Sequence, residues 1–524
     1  MRTHHDAIVA GTGIAGLTAA IRCREAGLDV LVITKQDRVE ESNTNYAQGG
    51  IIAWREGDSP EALARDVMEA GCRFNSAEAV KRFSEKAPRL VFDFLIDRVG
   101  AAFSRNSRGE YDYTEEAAHS ERRILHFEDH TGDSIESALV AYARKIGVKI
   151  LPGWTAVDLI TNNHHSLDPQ ERYRPREVFG LYALENSTGE VHTLLADAVI
   201  LATGGIGNIF QFTTNPISAT GDGVSMAHRA GAEIVNAEFM QFHPTALFHK
   251  DIKRFLISES LRGEGAKLVD RAGKPFMARY TPQEELAPRD VVTRAIFEEM
   301  SRQGSEYMLL DLAGHYKGET PIKQRFSRIY ETCLSGGIDI TKDPIPIVPA
   351  AHYFCGGVKV DSVGRTPISR LYAVGEVSCT GIHGANRLAS TSMLEGLLWG
   401  YEAAGDIAER AKAGKGLGDY RLESIPDWKM PGAPETFEPS LIYQDWKMIK
   451  LTMWNHAGII RTRKGLERAN ADLNYHAHRI TRFYQEATLN RDIIELRNGV
   501  VTAQLVVAAA MHNEKSVGCH YRKD

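Results

Sequence analysis

Short apolar runs that end in glycine clusters punctuate the first half of the chain. Ala7-Ile8-Val9-Ala10 runs into Gly11-Thr12-Gly13, and Ala198-Val199-Ile200-Leu201-Ala202 into Thr203-Gly204-Gly205. Each reads as a buried strand that stops at a turn. Residues 15–26 carry helical spacing and stop at Gly27, and 29–33 is the next strand, so the chain opens with a βαβ unit. Residues 59–98 are helical in spacing, and 133–146 predict another helix with Asp133 or Ser134 as N-cap. From 148 to 202 short β-rich runs alternate with polar turns, and the polar insert 162–176 reads as a surface hairpin tip.

The pattern then changes. Residues 237–351 mix helix and loop with no parallel-strand run, which predicts an inserted domain. Leu371-Tyr372-Ala373-Val374 resumes the first domain, and 392–412 is helical. The Gly- and Pro-bearing stretch 414–440 reads as a linker, and 441–513 is helical almost throughout. The expected organisation is a first domain made of 1–236 and 352–415, an insert at 237–351 and a helical domain at 416–524. No internal repeat or low-complexity tract interrupts it.

Composition narrows the class. A chain of 524 residues exceeds one core. A net charge of -6 gives no reason to expect a nucleic-acid partner. The six cysteines form no CxxC or other ligand spacing, so no metal or iron–sulfur centre is expected, and they suit a reducing compartment. Glycines inside the first apolar stretch argue against a signal peptide, and no stretch reads as apolar enough for a membrane span. Together these predict a cytoplasmic protein without a membrane partner.

Gly11, Gly13 and Gly16 form GxGxxG between a strand and a helix. Gly11 permits the tight turn, Gly13 lets backbone N–H groups approach a pyrophosphate, and Gly16 allows close helix–strand packing. The second strand ends in Thr34-Lys35 where a nicotinamide dinucleotide site would carry an acid, so FAD is the better expectation, with Lys35 toward its ribose or adenine. Glu376, after a strand, reads as a contact to the ribityl chain. Asp222, between two glycines, divides evenly between a cofactor contact and a plain turn.

More motifs follow in a fixed order: SNTNYAQGG at 42–50, LATGG at 201–205, GDG at 221–223, QFHPT at 241–245, RGEG at 262–265, PRDVVTR at 288–294, AAHYFCGGV at 350–358 and AVGEVSCTGIHGANRLAS at 373–390. The chain resembles the flavoprotein family of succinate dehydrogenase, fumarate reductase and L-aspartate oxidase over nearly its whole length, and the oxidase branch most closely. The resemblance implies an α/β fold: a Rossmann-like FAD-binding domain, an inserted α+β capping domain and a C-terminal helical domain. It implies FAD contacts at Gly11, Gly13, Ile14, Ala15, Gly16, Lys35, Ser42, Asn43, Thr44, Gln48, Gly49, Gly50, Asp222, Glu376, Ser392 and Met393. Where respiratory members attach the flavin through a histidine, this chain has Asn43, so FAD is expected to be non-covalent.

The same resemblance implies catalytic roles for Arg289, Glu116, His243 and His352, and substrate contacts from Ser258, Glu259 and Arg387. Arg387 suits a bidentate carboxylate clamp. Glu116 suits a substrate ammonium and would repel a plain diacid. Arg289 suits electrostatic stabilisation, and proton relay through it would need acidic neighbours. The implied reaction is oxidation of L-aspartate to iminoaspartate with oxygen or fumarate as acceptor, the first step of de novo NAD synthesis, with hand-off to quinolinate synthase. The alternative is a soluble fumarate reductase or succinate dehydrogenase type of flavoprotein. The family's C-terminal ESRG-x-H-x-R is altered to Lys515-Ser516-Val517-Gly518-Cys519-His520-Tyr521-Arg522, which puts a role for the tail at the flavin in question.

Overall fold

In the computed structural model of the chain, which describes residues 1–116, 118–128, 130–417, 419–429 and 438–524, the run at 7–10 closes the strand Arg2–Ala10. Val30–Thr34 pairs with it in parallel on one side and Glu190–Leu201 on the other. The side chains of 7–10, 30–34 and 198–201 are buried on both faces, which is why these stretches read as unbroken apolar runs. The seven-stranded sheet continues through Lys149–Pro152 at one edge and Val178–Glu185 and Trp154–Thr161 at the other, with Leu371–Ala373 pairing parallel to Glu190–Leu201. The strand ends carrying Ala10, Leu201 and Ala373 lie side by side, and the glycine turns that follow them meet there.

Some local expectations need correction. The helix expected at 133–146 spans Thr131–Lys145, and neither Asp133 nor Ser134 caps it; His130 stands at the N-cap. It starts early because Gly132 lies against the 42–50 loop, where a Cβ would stand 1.8 Å from the Thr44 carbonyl oxygen and where its N–H bonds Ala47 O at 3.0 Å. The insert at 162–176 is a mostly exposed connection between an antiparallel pair, as expected of a surface tip, but it has local structure of its own. It folds into a turn of helix, Asn162–His165, and a 3-10 turn, Pro169–Tyr173. Asn162 and Glu171 are buried there, and Arg421 donates to both Glu171 oxygens.

The insert at 237–351 holds an antiparallel sheet as well as helices: Met240–Leu247, Ile345–Phe354, Met308–Asp311 and Lys267–Val269 in that order. Prolines 244, 346 and 349 and two irregularities of register break the alternation that marks a strand. Ile345–Phe354 runs through the boundary placed at 351–352.

The C-terminal domain consists of the helices Pro439–His456, Arg463–Glu486 and Arg491–His512. The last contradicts the reading that no stretch is apolar enough to span a membrane: it is long and apolar enough by length and composition. Most of its apolar window is buried inside the protein, packed on the other two helices and on Asp222–Arg229. It reads as the core helix of this domain. The linker expected at 414–440 lies partly outside the described residues. Its early part, through Leu417, Leu422 and Ile425, packs on Val157, Ile160 and Phe179 of the sheet.

Candidate active site

A cavity of about 1260 Å³ opens where the glycine turns meet and extends under the antiparallel sheet of the insert. Gly11 has φ +118°, and a Cβ there would stand 2.1 Å from the Ala202 carbonyl oxygen. A Cβ on Gly16 would stand 2.2 Å from Gly11 O, so this glycine sets helix against strand, as its place in the motif requires. The helix Ile14–Glu25 begins at Gly13 with no side-chain cap of its own. Its first N–H instead bonds Thr44 Oγ1 at 3.0 Å, which ties the 42–50 loop to the helix start. The buried hydroxyl of Thr203, on the same wall, has no partner.

These features fit a dinucleotide. A helix N-terminus borders the space, and a hydroxyl on its wall is unsatisfied among the described residues. Fifteen of the sixteen residues assigned to FAD line the cavity; Gly16 lies behind the wall. Lys35 differs from expectation in its partners. Its buried ammonium is held by Asp222 at 2.5 Å and Glu495 at 2.8 Å. Burial opposes its charge, but the two carboxylates win and hold its pKa above the usual lysine value. Asp222 therefore does more than make a turn: it also accepts from Thr220 and Asn498 and joins the FAD-side wall to the C-terminal domain.

Glu376 is half-buried on the same wall. Its oxygens accept from Asn43 Nδ2 and from the Phe354 N–H, both at 2.9 Å. Burial nevertheless pushes its carboxyl up to about 7. Asn43, expected to stand where respiratory members carry the flavin-linking histidine, is thus a donor to Glu376.

The far end of the cavity gathers Glu116, His243, Ser258, Glu259, Arg289, His352 and Arg387. Arg289 begins the helix Arg289–Gln303 and donates from Nε to Glu259 at 2.6 Å. It does not pair with Asp290, which is taken by Arg294. Glu259 also reaches Arg262 at 3.3 Å, and despite burial these two arginines hold its carboxyl below the usual range. Burial works against the Arg289 charge, but Glu259 and then Glu116 raise its pKa further. Arg289 stays charged, which favours an electrostatic role over proton donation.

His243 and His352 lie with ring centroids 5.3 Å apart. Burial, and then the neighbouring arginines, push His243 well below its usual value; burial, His243 and Arg387 do the same to His352. Both are neutral at pH 7. His243 Nδ1 accepts from the Thr245 N–H, so its proton sits on Nε2. Arg387 is buried with its Nε unpartnered, and its guanidinium lies 4.6 Å over the Tyr353 ring. Such a cation is available for an incoming anion.

Three residues of this wall were not singled out from sequence: Arg262, Tyr353 and Ser390. Each stands inside a quoted motif, so the motif was the available signal. The altered tail has a structural place: the Cys519 N–H bonds Ala385 O at 2.9 Å and Cys519 Sγ lies 3.1 Å from Asn386 Oδ1. The tail braces the loop that carries Arg387 and lines no part of the cavity.

Comparison with known proteins agrees with this geometry. Residues 6–393 match the family model described as FAD binding domain, and 446–524 match fumarate reductase flavoprotein C-term. L-aspartate oxidase of Yersinia pestis is 43% identical, with 99% of this chain and 96% of the relative covered. That of Pseudomonas aeruginosa is 41% identical, covering 99% and 95%. Among solved structures, a point mutant of E. coli quinol fumarate reductase FrdA superposes with a TM-score of 0.87 at 28% identity, covering 100% of this chain and 92% of that one. Mycobacterium smegmatis Sdh1 in complex with UQ1 gives 0.81 at 29%, covering 100% and 89%. With a cavity that fits FAD and family matches along both halves, the chain belongs to the L-aspartate oxidases, FAD-dependent members of the succinate dehydrogenase and fumarate reductase flavoprotein family.

Proposed function

We infer that this chain oxidises L-aspartate to iminoaspartate, with oxygen or fumarate taking the electrons, as the first step of NAD biosynthesis. One observation carries the reading: a buried cation, Arg387, with no carboxylate partner among the described residues shares a cavity with an acid, Glu116, that is bonded to no cation among them. A diacid needs the first, and only a diacid bearing an ammonium gains from the second.

Arg387 and His352 receive one carboxylate, and Arg289, His243 and Ser258 the other. Glu259 keeps Arg289 aimed and charged. Glu116 takes the ammonium and so fixes which face of the α-carbon is presented. FAD, held by the glycine turn, the 42–50 loop and Glu376, supplies the hydride acceptor when bound. Asn43 cannot form the histidyl flavin bond, so the cofactor is non-covalent. The insert supplies His243, Ser258, Glu259 and Arg289, and its closure over the substrate excludes water.

The division into an FAD domain (1–236 and 352–415), a cap (237–351) and a helical domain (416–524) belongs to the same reading. So do a cytoplasmic location and the transfer of unstable iminoaspartate to quinolinate synthase. The rival, a soluble fumarate reductase or succinate oxidiser, draws on the fumarate reductase fold and is opposed by Glu116. Purified, FAD-loaded protein releases peroxide with L-aspartate and none with succinate; the reverse pattern selects the rival. Acid precipitation leaves the yellow colour in the supernatant, whereas a coloured pellet refutes the non-covalent assignment.

A further inference from the structure

Glu116 follows the short strand Tyr113–Thr114 on irregular chain, which by itself gives a carboxylate no fixed direction. The structure supplies the direction from two sides. Behind the loop, buried Arg123 donates to Asp58 at 2.8 and 3.0 Å and to Asp66 at 2.5 Å, and the Ser120 N–H and hydroxyl both donate to Asp66. In front, the loop is latched to the two residues that follow Leu388 on the Arg387 loop. His119 Nε2 donates to Ala389 O at 3.1 Å, and Ser390 Oγ donates to Glu116 Oε2 at 2.8 Å. The other oxygen, Oε1, stands 3.1 Å from where a Cβ on Gly49 would be, so the carboxylate is lodged between Gly49 and Ser390.

Two facts set Ser390 apart. Its φ is +57°, a left-handed conformation that a non-glycine residue keeps only where its surroundings impose it. Its hydroxyl is also a neutral donor in a cavity lined by several guanidiniums, of which Arg289 and Arg387 both feel the charge of Glu116. A carboxylate paired to a guanidinium would have its charge compensated and would occupy a substrate clamp. A bond to a hydroxyl aims Glu116 and leaves its charge intact.

We propose that Ser390 is a specificity-determining positioning residue: by holding Glu116 off the substrate-clamp arginines, it sets the preference for an amino diacid over the plain diacid. This rests on the reading of Glu116 as the ammonium receptor. His119 steadies the same loop from the adjacent carbonyl. Because Ser390 acts through Glu116, its loss is felt by aspartate and not by succinate, and only while Glu116 is present.

The test is a double-mutant cycle on FAD-loaded protein, reading kcat/KM for L-aspartate and the inhibition constant of succinate, with flavin content checked for each variant. Glu116→Gln lowers aspartate kcat/KM roughly 100-fold and leaves succinate unchanged or tighter. Ser390→Ala lowers it roughly 10-fold, with succinate within about 2-fold. Ser390→Gly gives the same result while relieving the left-handed backbone, which keeps the test valid if the alanine variant folds poorly. Combined with Glu116→Gln, either Ser390 change adds nothing. Losses that multiply in the double variant, or that strike succinate equally, overturn the role of Ser390 while the Glu116 reading stands. A Glu116→Gln enzyme with undiminished aspartate kcat/KM overturns both.

Discussion

The two walls of the substrate cavity carry the same cation in opposite circumstances. On the cap side Arg289 is bonded to Glu259, which also reaches Arg262, so Arg289 is paired before anything binds. On the opposite side Arg387 has no carboxylate partner among the described residues and rests on the Tyr353 ring. A guanidinium paired in place is oriented and locked in its charged state. One left unpaired away from water gives its full field to whatever anion enters. The contrast separates two tasks: Arg387 captures the diacid, and Arg289 stabilises charge as the reaction proceeds.

Breaking the unpaired side has the largest effect. Arg387→Leu lowers kcat/KM for L-aspartate by roughly 1000-fold or more, chiefly through KM, read from initial rates of peroxide release. On the paired side the loss moves to turnover. Arg289→Lys keeps KM within a few-fold but lowers kcat by roughly 100-fold, because a point charge replaces a fork aimed by Glu259. Near-normal turnover would remove Arg289 from the reaction.

Removing the balancing charge sharpens the comparison. Glu259→Gln leaves Arg289 and Arg262 without their shared acid, so succinate binds more tightly while kcat falls roughly 10-fold. Weaker succinate binding would contradict the division of tasks. The smallest effect lies on the FAD side. Because the folded-state pKa of Glu376 is raised to about 7, the folded protein binds the extra proton, and its stability falls as pH rises from the unfolded value near 4.5 through 7. Glu376→Gln flattens that slope, as thermal melts of the FAD-free protein across this range would record.

What sequence made legible was local. The glycine turn, the strand ends and the HGANR and HPT motifs picked out residues that line one cavity, because each motif is a short backbone shape with chemistry attached. Partners distant in the chain were not legible. Lys35 could be assigned to the cofactor edge, but not its pairing with Glu495, which reaches it from the last helix. Ser390 and Glu116 lie 274 residues apart, and no periodicity links them. The cap sheet was hidden by prolines that interrupt its alternation. The apolar composition of Arg491–His512 was open to reading; what composition does not give is its burial, which depends on three separate helices packed around it.

The account stands on a cavity that accepts a four-carbon diacid and reads its ammonium. Anaerobic mixing of the yellow, FAD-loaded protein with single substrates tests that most directly. L-aspartate should bleach the flavin band fully within the time of turnover, while D-aspartate, L-glutamate and succinate leave it coloured. Bleaching by succinate at a matching rate, or none by L-aspartate, would contradict it.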